Sequence, residues 1–227
     1  MSDAQGTAAK RAGRPRDPHI DGAVLAAVLE VLDEVGYPGL SLEEVARRAE
    51  TSRPAIYRRW SGRAPLVLAA IAARLDVPTP PDTGCTLCDI GESFNVFLAA
   101  YRTIRPQTLA ALYADCVEDP ELHQRYLETL IGPARRAVGE TLDRSIARGD
   151  LRGRIDRELL LDLVGSLVHY RALFGREHLS DDEAEQAIET LLQGAALDYQ
   201  ALLAHSRALE REHLDASGTH QVHMTDQ

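Results

Sequence analysis

Residues 40–63 read LSLEEVARRAETSRPAIYRRWSGR. Ser41 stands before a narrow apolar stripe, Leu42, Val45, Ala46 and Ala49, and Glu44 follows it by three residues. That spacing is a capping box: the hydroxyl accepts from the third helical amide, and the carboxylate reaches back to the serine amide. The stripe supports only a short helix, ending near Ala49, and Glu50-Thr51 make a tight turn. Ser52 then caps a second short helix, which tolerates Pro54 in its first turn because an amide there would lack a partner anyway. This helix runs through Ile56 and Tyr57 to about Arg59. Two short helices joined by a tight turn form a helix-turn-helix.

The flanks supply the support such a unit needs. Upstream, Asp17-Pro18 start a helix, with Asp as N-cap and Pro at the first helical position. Ile20, Val24, Ala27, Val28, Val31 and Val35 recur at helical spacing. Gly36 ends this helix in a left-handed cap, and Pro38 is expected to prevent its resumption. Downstream, Gly62 caps a helix over about 63–75, with Pro65 in its first turn and Leu66, Val67, Ala69, Ala70 and Ile71 for burial. Val28, Leu42, Val45 and Ile56 are the expected mini-core.

The remainder reads as helix throughout. Residues 76–88, DVPTPPDTGCTLC, hold three prolines and a glycine and are taken as a linker. Helices are then expected over about 89–105, 106–118, 120–148 with a kink or break at Gly132-Pro133, 156–174, and from the capping box Ser180-Asp181-Asp182-Glu183 to about 205. No strand pattern or internal repeat is found. The expected organisation is a flexible basic arm (1–16), a helix-turn-helix domain (17–75), the linker (76–88), a second helical domain (89–205) and a flexible tail (206–227). The fold class is all-α.

Composition bounds the function. The 227 residues are 44 % hydrophobic and 26 % charged, an ordinary globular balance. No run approaches the roughly 18–20 apolar residues of a membrane span, and the polar, basic N-terminus lacks an apolar signal region; a cytoplasmic protein without membrane partners is expected. The net charge of −10 is unevenly spread. Residues 1–75 hold eleven Lys/Arg against nine Asp/Glu, whereas residues 76–227 hold fourteen against twenty-six. An acidic body with a mildly basic head is compatible with double-stranded DNA bound by the head alone.

In a helix-turn-helix the second short helix lies in the major groove. Its expected outward positions are Arg53, Ala55, Arg58 and Arg59, with Pro54 beside them. An arginine fork pairs with two acceptors on guanine or bridges phosphates. Tyr57 offers a hydroxyl to phosphate, Ser41 and Ser52 stand at positive helix ends, and Arg14 and Arg16 of the arm are placed to reach phosphate or the minor groove.

Over residues 14–71 the chain resembles the TetR/AcrR repressor family. The residues that carry the resemblance are GRPR at 13–16, the helix ending in Gly36, Leu40 to Ala46, Ser52 to Trp60, and Arg63 with Leu66. Trp60 replaces the more usual Phe, and Gly62-Arg63 replace Ser-Lys, both swaps keeping the physics. The resemblance implies a homodimer built on the last two long helices, here 156–174 and 181–205. It implies a near-palindromic operator with half-sites about 34–36 Å apart, or a multiple of one turn. It adds Arg63 to the DNA-binding set. It also implies a small-molecule effector pocket, for which Phe94, Phe97, Leu98, Tyr101, Leu109, Leu112, Tyr113, Leu130, Val164 and His169 are the candidate lining, and relief of repression by the ligand.

Other signals are weaker. Cys85 and Cys88 have the spacing of half a zinc site or of a redox pair, yet no second such pair exists, and free thiols are the ordinary reading. His205, His213, His220 and His223 are read as solvated. No nucleophile elbow, phosphate loop or zinc helix is present, so neither catalysis, cofactor nor metal is expected. The rivals are a ligand-binding or adaptor protein with a purely structural helix-turn-helix, and an all-α enzyme using the C-terminal cavity.

Overall fold

The computed structural model describes residues 18–175 and 180–221. Arg14, Arg16 and the rest of the arm lie outside the described residues. Eleven α-helices occur among the described residues: α1 (Pro18–Gly39), α2 (Leu42–Arg48), α3 (Arg53–Tyr57), α4 (Arg63–Arg74), α5 (Thr86–Thr103), α6 (Pro106–Cys116), α7 (Pro120–Tyr126), α8 (Gly132–Ala147), α9 (Arg157–Phe174), α10 (Asp181–Ala195) and α11 (Tyr199–Gln221). The protein is all-α; among the described residues β-pairing is limited to one isolated bridge between Leu151 and Ala196.

Local chemistry explains most boundaries. Ser41 and Ser52 accept the Glu44 and Ala55 amides at 3.2 and 3.4 Å and so start α2 and α3. The capping box at Ser41 is only half made, because Arg47 and Arg48 take the Glu44 carboxylate that would have reached back. These two guanidiniums hold the Glu44 carboxyl down to about 2. At Ser180 both halves of the box are present. Gly36 has φ 70°, a left-handed conformation that suits glycine, but Pro38 does not end the helix: a further turn forms through Gly39. Proline fits because it begins that turn, where its missing N–H is not needed.

Other departures have both local and distant causes. Cys85 caps α5, so that helix starts at Thr86 and the connector shrinks to residues 75–85. The expected break at Gly132-Pro133 is a π-helical turn, Leu127–Ile131, which leads into α8. The final helix breaks at Ala196–Asp198, held by the Leu151–Ala196 bridge and by the Leu197 amide on the Asp150 carbonyl (3.3 Å). It then resumes and continues past residue 205 to Gln221.

The turn between α2 and α3 contains a strained residue. Thr51 N–H reaches back to the Ala46 carbonyl (2.9 Å) and Glu50 N–H to Arg47 (3.3 Å), a Schellman closure. It places Glu50 at φ 47°, which glycine adopts without penalty and an L-residue does not. Glu50→Gly is therefore expected to stabilise the protein by about 0.5–1 kcal/mol, the relief of strain exceeding the added unfolded-state freedom. Chemical denaturation reads this as a raised midpoint at unchanged slope.

One apolar core runs the length of the molecule. Val24, Val28, Val45, Ile56, Leu66 and Ile71 fill the helix-turn-helix end, as the spacing predicts. Ile90, Phe94, Val138, Leu142, Leu161 and Val164 fill the other end, where α5 packs between α8 and α9. The α6 helix lies across the junction, against α1 and α4 on one side and α7 and α9 on the other.

Candidate nucleic-acid interface and effector cavity

The outer face of α3 is built by what its neighbours leave free. Ile56 anchors it in the core, and Ala55 is buried beside it rather than exposed as expected. Helical spacing puts 55 and 56 on the inner side of so short a helix. Arg53, Pro54, Tyr57 and Arg58 are exposed. The Arg53 guanidinium pairs with Glu43 and lies 5.9 Å from the centre of the Tyr57 ring. Arg58 has no ion-pair partner among the described residues. Ser41 and Ser52 are exposed at the starts of α2 and α3. Their oxygens are occupied as caps, and each hydroxyl keeps a proton to donate.

Two expected DNA contacts are engaged by the protein itself, Arg59 nearly enclosed and Arg63 held in a half-exposed ion pair. Arg59 keeps only 13 % of its side chain exposed, donating to Asp21 of α1 and to the Ala55 carbonyl at 3.2 Å. It locks α3 onto α1. Arg63 donates to Asp115 of α6 (2.7 Å) and lies 4.4 Å from the centre of the Tyr37 ring. Tyr37 is buried, and its hydroxyl donates to the same carboxylate oxygen at 2.7 Å. Burial and the Asp115 bond push the Tyr37 phenol well above its usual range. The two donors hold the Asp115 carboxyl below the usual carboxylate range. One carboxylate thus ties α6 to both α1 and α4. Sequence spacing contains no sign of this tie, since its partners are 52 and 78 residues away.

Two cavities flank α6 and α9. One, of about 600 Å³, is walled by Phe97, Tyr101, Tyr113, Tyr126, His169 and Phe174. The other, of about 550 Å³, reaches the end of α4 at Ala72 and the connector at Leu75, and includes Leu109 and Leu130. Phe97, Tyr101, Tyr126, Ile131 and His169 border both. Of the ten candidate lining residues, Phe94, Leu98, Leu112 and Val164 line neither cavity and are packed in the core. The spacing had shown that they face inward, but not whether the space before them is filled. Tyr126, Ile131, Arg135 and Phe174 are lining residues that sequence reading missed. Tyr126 donates to the Leu109 carbonyl at 3.2 Å.

The aromatic cavity carries little free charge. Arg135, at its edge, is paired with Asp162 and with Glu158 (2.8 Å). His169 packs edge-on to Phe97 and Tyr101, with ring centres 6.0 and 5.5 Å apart. Its Nδ1 is buried without a hydrogen-bond partner; the Gly165 carbonyl favours the protonated ring without meeting bonding geometry. Burial outweighs that attraction and holds the imidazole below its usual pKa. No group of three potential metal ligands occurs among the described residues, and no described helix is long and apolar enough to cross a membrane.

An arginine-bearing helix-turn-helix joined to a cavity-bearing helical domain defines a DNA-binding regulator. Residues 24–78 match the bacterial regulatory proteins of the tetR family, and residues 80–191 match the tetracyclin repressor-like C-terminal domain. The chain belongs to the TetR family of transcriptional regulators. It is 28 % identical over 184 residues to YdeS, an uncharacterised helix-turn-helix regulator of Bacillus subtilis, covering 80 % of this chain and 92 % of that one. It is 29 % identical over 156 residues to the DNA-binding transcriptional repressor TetR of Mycobacteroides abscessus, covering 67 % and 82 %. The crystal structure of the TetR family regulator SCO0332 superimposes with a TM-score of 0.60 at 26 % identity, covering 78 % of this chain and 98 % of that one.

Proposed function

We propose that this regulator is a dimeric repressor that holds a near-palindromic operator through α3 and is released by a small, uncharged, largely aromatic effector. The observation that carries this reading is the placement of α6. Tyr113 on α6 walls the aromatic cavity, while Asp115, two residues on, holds Tyr37 and Arg63 of the helix-turn-helix domain. A ligand that displaces the Tyr113 side of α6 shifts the Asp115 side with it, and with that the separation of two α3 helices in a dimer. Rings around the cavity favour a flat apolar ligand, and a charged one would be desolvated without a free counter-charge, since Arg135 is already paired. On this reading Arg53, Arg58 and Tyr57 contact DNA, with Ser41, Ser52 and Pro54 alongside. Arg59 and Arg63 position the helices.

The test is fluorescence anisotropy with DNA from upstream of the regulator's own gene, at one fixed salt concentration, against shuffled DNA of equal length. Preference for the upstream DNA by 1000-fold or more is the expected result, of the order seen for specific binders. Equal binding to both removes operator recognition.

The tie itself is testable. Asp115→Ala removes the acceptor of a buried hydroxyl, which is expected to destabilise the fold by about 1–3 kcal/mol. The half-exposed Arg63 pair adds little to that. Tyr37→Phe removes only the donor, and about 0.5–1.5 kcal/mol is expected. Denaturation of the two variants checks the order; a milder effect from Asp115→Ala would show that the junction does not depend on this carboxylate.

A further inference from the structure

The sulfurs of Cys85 and Cys88 lie 2.6 Å apart, at the start of α5 and beside the connector to the DNA-binding end. Cys85 is the N-cap, and its sulfur also accepts the Cys88 amide at 3.3 Å. Cys85 is buried, whereas Cys88 is partly exposed on a groove between α5 and the pair α10 and α11. The third cysteine, Cys116, is buried at the far end of α6. We propose that Cys85 and Cys88 form a reversible disulfide, made by small hydroperoxides that reach Cys88 through this groove.

The geometry requires little movement. Non-bonded carbon atoms rest about 3.5–4.0 Å apart, and sulfur is larger. A disulfide bond is about 2.05 Å long, and two reduced sulfurs relax outward toward ordinary contact, so closure needs on the order of 1.5 Å, which a side-chain rotation supplies. The cap fixes both residues on one helical turn, and the pairing does not depend on any distant segment.

The reaction balances with hydrogen peroxide as the oxidant. The Cys88 thiolate attacks one peroxide oxygen; the S–O bond forms, the O–O bond breaks, and the departing hydroxide takes up the thiol's proton as water. The Cys85 sulfur then attacks the Cys88 sulfur; the S–S bond forms, the S–O bond breaks, and the hydroxyl leaves as water with the Cys85 proton. Two thiols supply two electrons, and one peroxide becomes two waters. A dithiol reductant reverses the bond by exchange.

The surroundings set which oxidants succeed and how fast. Asp182, Glu185, Glu189 and Glu210 line the groove against the single cation Arg207, with Tyr199 and Ser206 between them and Asp89 beneath. Uncharged or cationic reagents are admitted, and anionic disulfides are repelled. Burial, then the neighbouring Cys85 sulfur, push the Cys88 thiol up to about 11, with the Ser206 hydroxyl acting the other way. Below that value the thiolate fraction, and so the rate, rises about tenfold per pH unit.

The experiment uses the reduced full chain, exposed to hydrogen peroxide at pH 7, 8 and 9, then denatured and alkylated. Three reactive thiols are expected to fall to one, Cys116, with loss of two hydrogens in mass located to the peptide holding residues 85–88. The initial rate should rise about a hundredfold from pH 7 to 9. Cystamine, a cationic disulfide, should oxidise the pair at least tenfold faster than glutathione disulfide. Cys88→Ser should form no internal bridge. Three thiols surviving peroxide that fully oxidises dithiothreitol alongside, or a bridge to Cys116 or between chains, would overturn the pairing. Equal rates for the two disulfides would overturn access through the acidic groove.

Discussion

Arg58→Ala is expected to weaken binding to the operator by roughly 5- to 150-fold, the equivalent of about 1–3 kcal/mol for one base contact, while the fold remains as stable as the parent. The exposed guanidinium has no ion-pair partner among the described residues, so its removal leaves no buried group unpaired. Arg59→Ala is expected to do the reverse of this in emphasis. Its guanidinium is nearly enclosed and joins Asp21 of α1 to α3. Removing it leaves a partly buried carboxylate unmatched, with a loss of about 1–3 kcal/mol in stability. Arg58→Lys separates the two contributions to DNA binding. It keeps the charge and the salt dependence but loses the two-pronged pairing, so preference falls while binding to shuffled DNA is preserved. Titration at two salt concentrations, with thermal denaturation of each variant, resolves these outcomes. Parental operator affinity in Arg58→Ala would take this residue out of the groove.

The contrast between these adjacent arginines shows where sequence reading reaches its limit. The helix-turn-helix was legible because its determinants are local: Ser41 and Ser52 cap, Ile56 and Val45 alternate inward, and Gly36 takes a left-handed turn. Which arginine faces out depends on Asp21, 38 residues upstream, and no spacing rule identifies it. The same holds for Arg63, whose partner Asp115 belongs to the other end of the molecule. Cysteine is not among the preferred N-caps, so local chemistry places Cys85 in the linker, although its sulfur caps α5. In the cavity, periodicity marked Phe94 and Tyr101 alike as inward. The packing of α5 against α8 and α9 fills the space before Phe94 and leaves it open before Tyr101. The break at Ala196 is held by a bridge to Leu151, and its one local sign is Asp198, whose carboxylate accepts the Ala201 amide at 3.0 Å as α11 restarts; apolar periodicity runs past it.

Leu163→Asp is expected to convert the regulator into a folded monomer and to lower its operator affinity by at least a hundredfold. The basis is the outer face of α9. Leu159, Leu163, Tyr170 and Phe174 recur there at helical spacing, and all four are exposed, Leu163 by 49 % and Phe174 by 75 %. Leu163 and Leu167 also border a shallow groove with Ala187 and Leu191 of α10. A fully buried large apolar side chain contributes about 1.5–3 kcal/mol. Half that from each of four residues on two protomers gives a gross gain on the order of 6–12 kcal/mol, comparable to the cost of association itself, so the loss of any one of these contacts weighs heavily. A two-fold contact repeats any substitution, so Asp at position 163 introduces two carboxylates into one apolar seam, each desolvated without a counter-charge. Because Leu163 is already half in water in the single chain, the charge leaves the protomer's own core untouched. The effect on DNA follows from linkage: two α3 helices bound to one frame engage the second half-site at a high effective concentration, and separate protomers do not. Sedimentation velocity with anisotropy on the same preparation checks both halves. A variant that stays dimeric would move the interface away from α9. A monomer that still binds the operator within a few-fold of the parent would show that one α3 is sufficient, and that paired recognition is not how this protein finds its site.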